Sequence, residues 1–503
     1  MNLSQLLFSL QKKRIDAIEE SYKNAEELQL RQLLHLTHFS QSTEWGKHHS
    51  YEQIRSYESF AAQVPLQGYD EIKPYVERML EGENDLLWPG HTTWFAKSSG
   101  TTNDKSKFIP VSSEALNDCH YRGAKDTLAF YGHNHPESRL FEGKSLVLGG
   151  SHKISSQINH TFVGDLSAIL IHNNPAYTDL IRTPHRDVIL MDEWEAKLDK
   201  IVEVTYQQDV RSLSGVPSWM LVLIKRVLEK TGKQYLTEVW PNLEVFFHGG
   251  VSFAPYREQY NALIPSSHMS YQEIYNASEG FFALQNDPTD NAMLLMLDYG
   301  VFYEFIPFNE LENENPTAVP LWGVETGKNY AVIISTNSGL WRYKLGDTVT
   351  FTSTNPYKIK ISGRTKHHIN VFGEELMIDN AEKGLMRACA ATGAVVKEYT
   401  AAPVFMSAAN KGKHQWLIEF EKAPASAEEF AGILDKALQE LNSDYEAKRY
   451  KNMTLDPLEV DVARKNLFHD WLKQKGKLGG QHKVPRLSNS REYIDELLAM
   501  NVR

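Results

Sequence analysis

Cysteine is scarce in this chain. Cys119 and Cys389 are the two thiols among 503 residues, which excludes a disulfide framework and a cysteine-based zinc site. A reducing compartment, the cytoplasm, is the expectation. Long apolar runs are missing as well. Leu6, Leu7, Phe8 and Leu10 are followed at once by Gln11-Lys12-Lys13-Arg14. That order is not a secretory signal, and no run reaches the ~20 residues of a membrane-spanning helix. Positive charge is not in excess: 53 Lys and Arg stand against 64 Asp and Glu, a net −11. A general nucleic-acid binder would show a basic face, so neither nucleic acid nor membrane is an expected partner. A small anionic ligand stays open, because a few local cations can hold one. The 19 histidines, His152, His160, His172, His367 and His368 among them, fall in no zinc or metalloprotease spacing.

The length exceeds one ordinary core, so two or more domains are expected. Residues 1–60 read as helical, with Leu3, Leu6, Leu7, Leu10 and Ile15 at helical spacing and assigned to core packing. Strand-like runs follow at 91–95, 144–150 and 168–171, then helix over 186–231, then a buried strand at 243–250 that ends in a glycine turn. Tyr330–Thr336 and Asp347–Thr352 are rich in β-branched residues. The last third reads as strands at 400–406 and 414–421 and an amphipathic helix at 427–441. A boundary between Arg364 and Asn370 divides the chain into 1–365 and 370–503. The alternation argues an α/β fold.

Five stretches carry chemistry. Residues 96–110 read Ala-Lys-Ser-Ser-Gly-Thr-Thr-Asn-Asp-Lys-Ser-Lys-Phe-Ile-Pro. Hydroxyls and backbone N–H groups hold phosphate, Gly100 admits a close approach, and lysines add positive charge. The spacing is not that of the kinase-type phosphate loop, and the same composition also makes a polar surface turn. Tyr275-Asn-Ala-Ser-Glu-Gly offers one carboxylate in a turn, which suits Mg2+ or a solvated glutamate. Gly339-Leu-Trp-Arg-Tyr-Lys-Leu-Gly-Asp347 places a carboxylate at a strand start, where it can accept from a ribose diol or sit in a plain hairpin. Gly479-Gly-Gln-His-Lys-Val-Pro-Arg486 presents Lys483 on a glycine segment, a reach-back lysine or an exposed basic turn. Gly363-Arg364 lies at the boundary.

The order of these stretches resembles the adenylate-forming superfamily, and within it the GH3 acyl acid amido synthetases. Ser98-Ser-Gly-Thr-Thr with Lys107-Phe-Ile-Pro110 is similar to the GH3 phosphate motif. Tyr275 with Ser278-Glu279 is similar to its second motif, and Leu340-Trp-Arg-Tyr-Lys-Leu-Gly-Asp-Thr-Val349 to its third. Tyr303-Glu-Phe-Ile-Pro307 resembles the Phe-Glu-Phe-Leu-Pro strand and Lys483-Val-Pro-Arg486 the terminal Lys-Thr-Pro-Arg. The likeness runs from about residue 90 to about residue 490. Two places depart from it. Asp104 stands where plant members often carry glycine. Phe372-Gly-Glu-Glu-Leu376, with Glu375, stands where they carry a lysine, a pattern that resembles the general superfamily hinge or a bacterial branch of GH3.

The resemblance implies a large N-terminal adenylate-forming domain with mixed sheets and flanking helices, and a smaller mobile α+β C-terminal domain. It implies ATP and Mg2+, a small carboxylic acid, and an amino acid or other amine. The acid is adenylated with loss of pyrophosphate, then the acyl group passes to the amine. Ser98, Ser99, Gly100, Thr101, Thr102 and Lys107 are the implied phosphate contacts, Tyr275, Ser278 and Asp347 further nucleotide contacts with Asp347 on the ribose, Glu279 the Mg2+ ligand, and Lys483 and Arg364 the catalytic cations. Two alternatives stand beside this reading: acyl transfer to a thiol, as in acyl-CoA synthetases, and a non-catalytic nucleotide-binding relative. A monomer is the default expectation.

Overall fold

The computed structural model describes all residues except 1–2, 99–106, 151–154, 157–159, 192, 251–252, 254–255, 312, 314–315, 366–367, 375, 407–410, 451–454, 476–483 and 502–503. Contacts divide the chain into two compact units. One comprises Met1–Ser98, Lys107–Gly250 and Leu263–Thr365; the other takes in Val251–Ala262 and Lys366–Arg503.

The first unit opens with helix α1 (Leu3–Ser21), and here the expected core face is rotated. Phe8, Ile15 and Ile18 are buried, whereas Leu3, Leu6 and Leu10 are 52%, 44% and 71% exposed. Helix α2 (Tyr121–Asn134) explains the rotation. The Phe8 ring sits so close to Gly132 that a Cβ there would lie 2.1 Å from it. Arg14 pairs with Asp126 of α2 at 2.7 Å and with Asp298 at 2.6 Å. The ring and the guanidinium, not the leucines, choose the inward face.

Strands β1 (Trp94–Ser98) and β2 (Lys107–Val111) form an antiparallel hairpin. Strand β3 (Lys144–Val147) belongs to the large sheet, while β4 (Ser155–Ser156) and β5 (Phe162–Gly164) complete a small sheet in the order β2-β1-β5-β4. The run at 168–171 is helix α3 (Leu166–Asn173), not a strand. A short continuous apolar run fits either element, and its neighbours decided. Next come β6 (Arg182–Thr183), α4 (Trp194–Thr205), β7 (Val210–Gly215), α5 (Pro217–Thr231) and β8 (Val245–His248). The stretch read as continuous helix over 186–231 is thus broken by β7.

The antiparallel part follows: β9 (Ser270–Ala277), β10 (Gly280–Leu284), β11 (Met293–Leu295), β12 (Val301–Pro307), β13 (Val319–Pro320), β14 (Asn329–Thr336), β15 (Tyr343–Thr354) and β16 (Tyr357–Arg364). Among the described residues, twelve strands join in the order β13-β12-β14-β15-β16-β11-β10-β9-β8-β7-β3-β6. The β6-β3-β7-β8-β9 end is parallel and the remainder antiparallel. The parallel strands need cover on both faces, and β8 is buried along its whole length.

The second unit contains β17 (His368–Ile369), β18 (Leu376–Met377), α6 (Ile378–Thr392), β19 (Val395–Val404), β20 (Lys413–Lys422), α7 (Ala427–Leu441) and β21 (Glu459–Val462). Strands β19-β20-β21 form a sheet, antiparallel then parallel. The Ser426 hydroxyl accepts from the N–H of Glu429 and caps α7. Gly384 of α6 lets α7 approach, since a Cβ there would stand 2.8 Å from Leu438. Buried Asp435 is satisfied by Arg449 at 2.7 Å and by the Tyr445 hydroxyl at 2.6 Å. Among the described residues no helix is long and apolar enough to cross a membrane.

Candidate active site

Parallel strands direct their carboxyl ends to one edge of a sheet, the edge where open α/β folds bind ligands. In this chain β3, β7, β8 and β9 run out there into Gly149-Gly150, Gly215, Gly249-Gly250 and Ser278-Glu279. Two devices fix those ends. The fully buried Lys197 of α4 donates to the carbonyls of Gly149 and Gly150 at 2.8 and 2.9 Å. Gly249 passes so near β9 that a Cβ would meet the Ile274 carbonyl at 2.5 Å.

Ala277 pairs with Gly280, so Ser278 and Glu279 are the two-residue turn between β9 and β10. Both are partly buried. Two residues before that turn-bearing end, the buried Tyr275 hydroxyl donates to Asp347 Oδ2 at 2.7 Å, a contact across 72 positions of sequence. Asp347 is buried too. It lies inside the twelve-residue strand β15 rather than at a strand start, and stands in register opposite Arg364 of β16. Gly346 just before it takes φ +94°, a conformation open chiefly to glycine, and its carbonyl accepts from the Thr365 N–H at 2.8 Å. Motif two, motif three and Arg364 therefore belong to one sheet, with Tyr275 of the second motif bonded to Asp347 of the third.

The hydroxyl-rich loop joins β1 to β2, with Ser98 opposite Lys107 at its two ends. Ser99, Gly100, Thr101, Thr102, Asp104, Glu375 and Lys483 lie outside the described residues. The Lys107 ammonium stands 5.7 Å from the centre of the Tyr69 ring, and the Tyr69 hydroxyl accepts from the Phe108 N–H at 2.8 Å. The far end of β2 is bonded to the turn that leads into β15. The Ser338 hydroxyl accepts from the Ser112 N–H at 3.0 Å and donates to the Pro110 carbonyl at 2.5 Å, and the Ser112 hydroxyl donates to the Asn337 carbonyl at 2.6 Å. The β1–β2 hairpin and the strand that carries Asp347 share one anchor.

Part of motif three serves the scaffold. Arg342, at φ +42°, pairs with Glu304 of β12, with Nη2 at 2.8 Å from Oε1 and side chains 8% and 1% exposed. Its Nη1 donates to the carbonyls of Ala61 and Val64 at 3.0 and 2.8 Å. The Tyr57 hydroxyl donates to Glu304 at 3.0 Å, and burial followed by the Glu304 charge raises that phenol's pKa well above its usual value. Trp341 donates its indole N–H to the Leu87 carbonyl. Sequence reasoning quoted Arg342 and Glu304 in separate motifs without pairing them. The available signal was a lone guanidinium and a lone carboxylate, each flanked by apolar strand residues, which must find charge partners when buried. Lys197, Tyr69 and the Ser112–Ser338 anchor had no such signal.

Just before α2, two buried side chains are held neutral. Burial pushes the Cys119 thiol up to about 12, and the thiol sulfur accepts from the Phe281 N–H. Burial also pulls His120 down to about 4, so it is uncharged at neutral pH. Among the described residues no three His, Cys, Asp or Glu gather as a metal-binding group. A single carboxylate such as Glu279 fits Mg2+, which takes one or two protein carboxylates and completes its shell with water and phosphate oxygens.

Three family models match this chain: the GH3 family N-terminal domain over residues 14–269, the central domain over 294–364 and the C-terminal domain over 379–492. The chain belongs to the GH3 family. An indole-3-acetic acid-amido synthetase of Arabidopsis thaliana is 22% identical to this GH3 protein, over 94% of this chain and 91% of the other. A GH3.15 acyl acid amido synthetase, solved with 2,4-DB, aligns with a TM-score of 0.62 at 18% identity, covering 98% of this chain and 96% of its own. A 2-hydroxyisobutyryl-CoA ligase, solved with 2-HIB-AMP and CoA, aligns with a TM-score of 0.55 at 12% identity over 95% and 92%. These two structures bear on the fold, which is the mixed α/β architecture with a large N-terminal sheet domain and a smaller C-terminal one.

Proposed function

We propose that this GH3 protein is an ATP-dependent acyl acid amido synthetase, which joins a small carboxylic acid to an amine through an acyl-adenylate. In the first half-reaction the acid's carboxylate attacks the α-phosphorus of ATP and pyrophosphate leaves. In the second the amine attacks the acyl carbon and AMP leaves. The observation that carries the reading is the Tyr275–Asp347 hydrogen bond, which puts the carboxylate suited to a ribose on the strand system whose next turn holds Glu279.

Each residue has a task set by its chemistry. Ser98, Ser99, Thr101 and Thr102 donate hydroxyl or backbone hydrogens to the phosphates, Gly100 admits them closely, and Lys107 adds a cation. Ser278 and Glu279 form the turn that receives the polyphosphate, with Glu279 holding Mg2+, whose chemistry there is to neutralise phosphate charge. Asp347 accepts from the ribose diol, oriented by Tyr275. Arg364, opposite it in the sheet, and Lys483 supply the positive charge that lets two anions meet, a preorganised electrostatic contribution. In this division of labour residues 1–365 bind ATP and acid, while 370–503 bring Lys483 and turn between half-reactions. Placement in a bacterial branch rests on the Phe372-Gly-Glu pattern alone.

Amine transfer is favoured over thiol transfer because all three GH3 domain models match, whereas the CoA ligase supports only the fold. Incubating the protein with ATP, Mg2+ and panels of acids and amino acids, with mass spectrometry of the products, tests the reading. An N-acyl amino acid with stoichiometric AMP is expected. AMP release stimulated by coenzyme A and by no amine would replace it with the thiol reading, and no acyl-AMP from any acid would leave a non-catalytic relative.

A further inference from the structure

We propose that Thr400 and Arg486 are positioning residues for adenylation: they fix the chain that follows Lys483, so that the lysine is presented from a rigid stem. The inference rests on the adenylation reading and on the task given there to Lys483.

Lys483 is followed by Val484-Pro485-Arg486-Leu487-Ser488-Asn489, and all six belong to the second unit. Val484 is buried in one apolar cluster with Ala402, Leu417 and Trp471. The chain then runs beside β19 as a short parallel addition to its sheet, bridged at Ala401 and Leu487. The Ala401 N–H donates to the Arg486 carbonyl at 2.8 Å, and the Ser488 N–H donates to the Ala401 carbonyl at 3.0 Å. Side chains add to this ladder. Thr400, 1% exposed, donates its hydroxyl to the Pro485 carbonyl at 2.6 Å. The Arg486 guanidinium pairs with Glu382 of α6, has Nε 3.8 Å from Glu398 of β19, and stands 5.3 Å from the centre of the Tyr399 ring. It thus ties the segment to a helix and a strand at once. The Asn489 side-chain oxygen accepts from the Asn370 N–H at 2.7 Å, which joins the same segment to the chain leaving β17.

The sequence makes this anchor stiff toward the lysine. Proline fixes its own φ at about −65° and confines the residue before it to extended conformations. Val484-Pro485 therefore has few ways to bend between the Thr400 contact and Lys483. What Thr400 and Arg486 fix is passed to the lysine's backbone with little play. That matters for an ammonium that neutralises charge in a transition state, where a misplacement of about 1 Å costs about 10²-fold. An anchor that only docked the terminal helix Glu492–Asn501 would affect both half-reactions alike. One that serves the lysine affects the first.

The test is ATP–pyrophosphate exchange by the full chain, with the acid that supports the fastest exchange in the panel, beside aminolysis of that acid's adenylate supplied preformed. Thr400→Val keeps the shape and removes the donor; Arg486→Met keeps much of the length and removes the charge. Each should lower kcat for exchange by about 10–100-fold and leave the KM for ATP and the aminolysis rate at wild-type values, with Arg486→Lys recovering part of the loss. On a Lys483→Ala background neither should cause a further loss, because residues that act as a unit are not additive. Wild-type exchange in both variants, an equal loss in both half-reactions, or the full further loss on the Lys483→Ala background would each overturn the proposal. If Thr400→Val does not fold, Arg486→Met, at a side chain 32% exposed, decides by the same comparisons. No exchange by the wild-type protein with any acid would instead refute the adenylation reading, a distinct result from exchange that is indifferent to Thr400 and Arg486.

Discussion

Replacing Arg342 by methionine isolates the scaffold beneath the candidate site. The substitution keeps much of the side chain's volume and removes its charge and donors. It would strip Glu304 of three guanidinium contacts between 2.8 and 3.1 Å and leave a carboxylate 1% exposed with the Tyr57 hydroxyl. The Ala61 and Val64 carbonyls would lose a donor too. Breaking a buried ion pair on one side costs about 3–5 kcal/mol, most of it the penalty of the stranded charge. A two-unit chain need not unfold in one step, so local opening is the better readout. Native-state amide exchange in β12, β14 and β15 should quicken by roughly 10²–10³-fold or more. Adding Glu304→Leu should restore part of the protection. A deficit under about 1 kcal/mol, the range of an exposed pair, would refute the assignment of this pair to the core.

Three further substitutions address the site itself. Tyr275→Phe removes the donor to Asp347 and should raise the KM for ATP by about tenfold, the scale of one hydrogen bond to a charged group, with kcat less affected; an unchanged KM would detach Tyr275 from nucleotide binding. Glu279→Gln should raise the Mg2+ concentration for half-maximal exchange by about 10–100-fold, and a superimposable Mg2+ titration would count against that ligand. Lys483→Ala should slow adenylation by roughly 10²–10³-fold, and ATP–pyrophosphate exchange at the wild-type rate would reject its role.

The elements that carry the candidate site were more legible in the sequence than the contacts between them. Tyr330–Thr336 and Asp347–Thr352 announced β14 and β15 through their β-branched residues, and Ala427–Leu441 announced α7 through its periodicity, because those signals are local. The Tyr275–Asp347 contact was not legible. It depends on a sheet order in which β10, β11 and β16 intervene between β9 and β15, and no local pattern encodes strand order. The leucines of α1 misled because periodicity shows that a helix is amphipathic, not which face a partner such as Phe8 against Gly132 will draw inward. Ala168–Ile171 misled because an apolar run of that length has no period to read. Arg342 was visible as a motif residue, but its partner Glu304 sits in another motif on another strand, so only the fold revealed a structural pair.

ATP–pyrophosphate exchange by the wild-type protein, measured with and without a carboxylic acid, tests the central claim most directly. Label should pass from pyrophosphate into ATP when Mg2+ and a suitable acid are present and not when the acid is left out. Exchange that ignores the acid, or that fails across a broad panel of carboxylic acids, would contradict an acyl-adenylate.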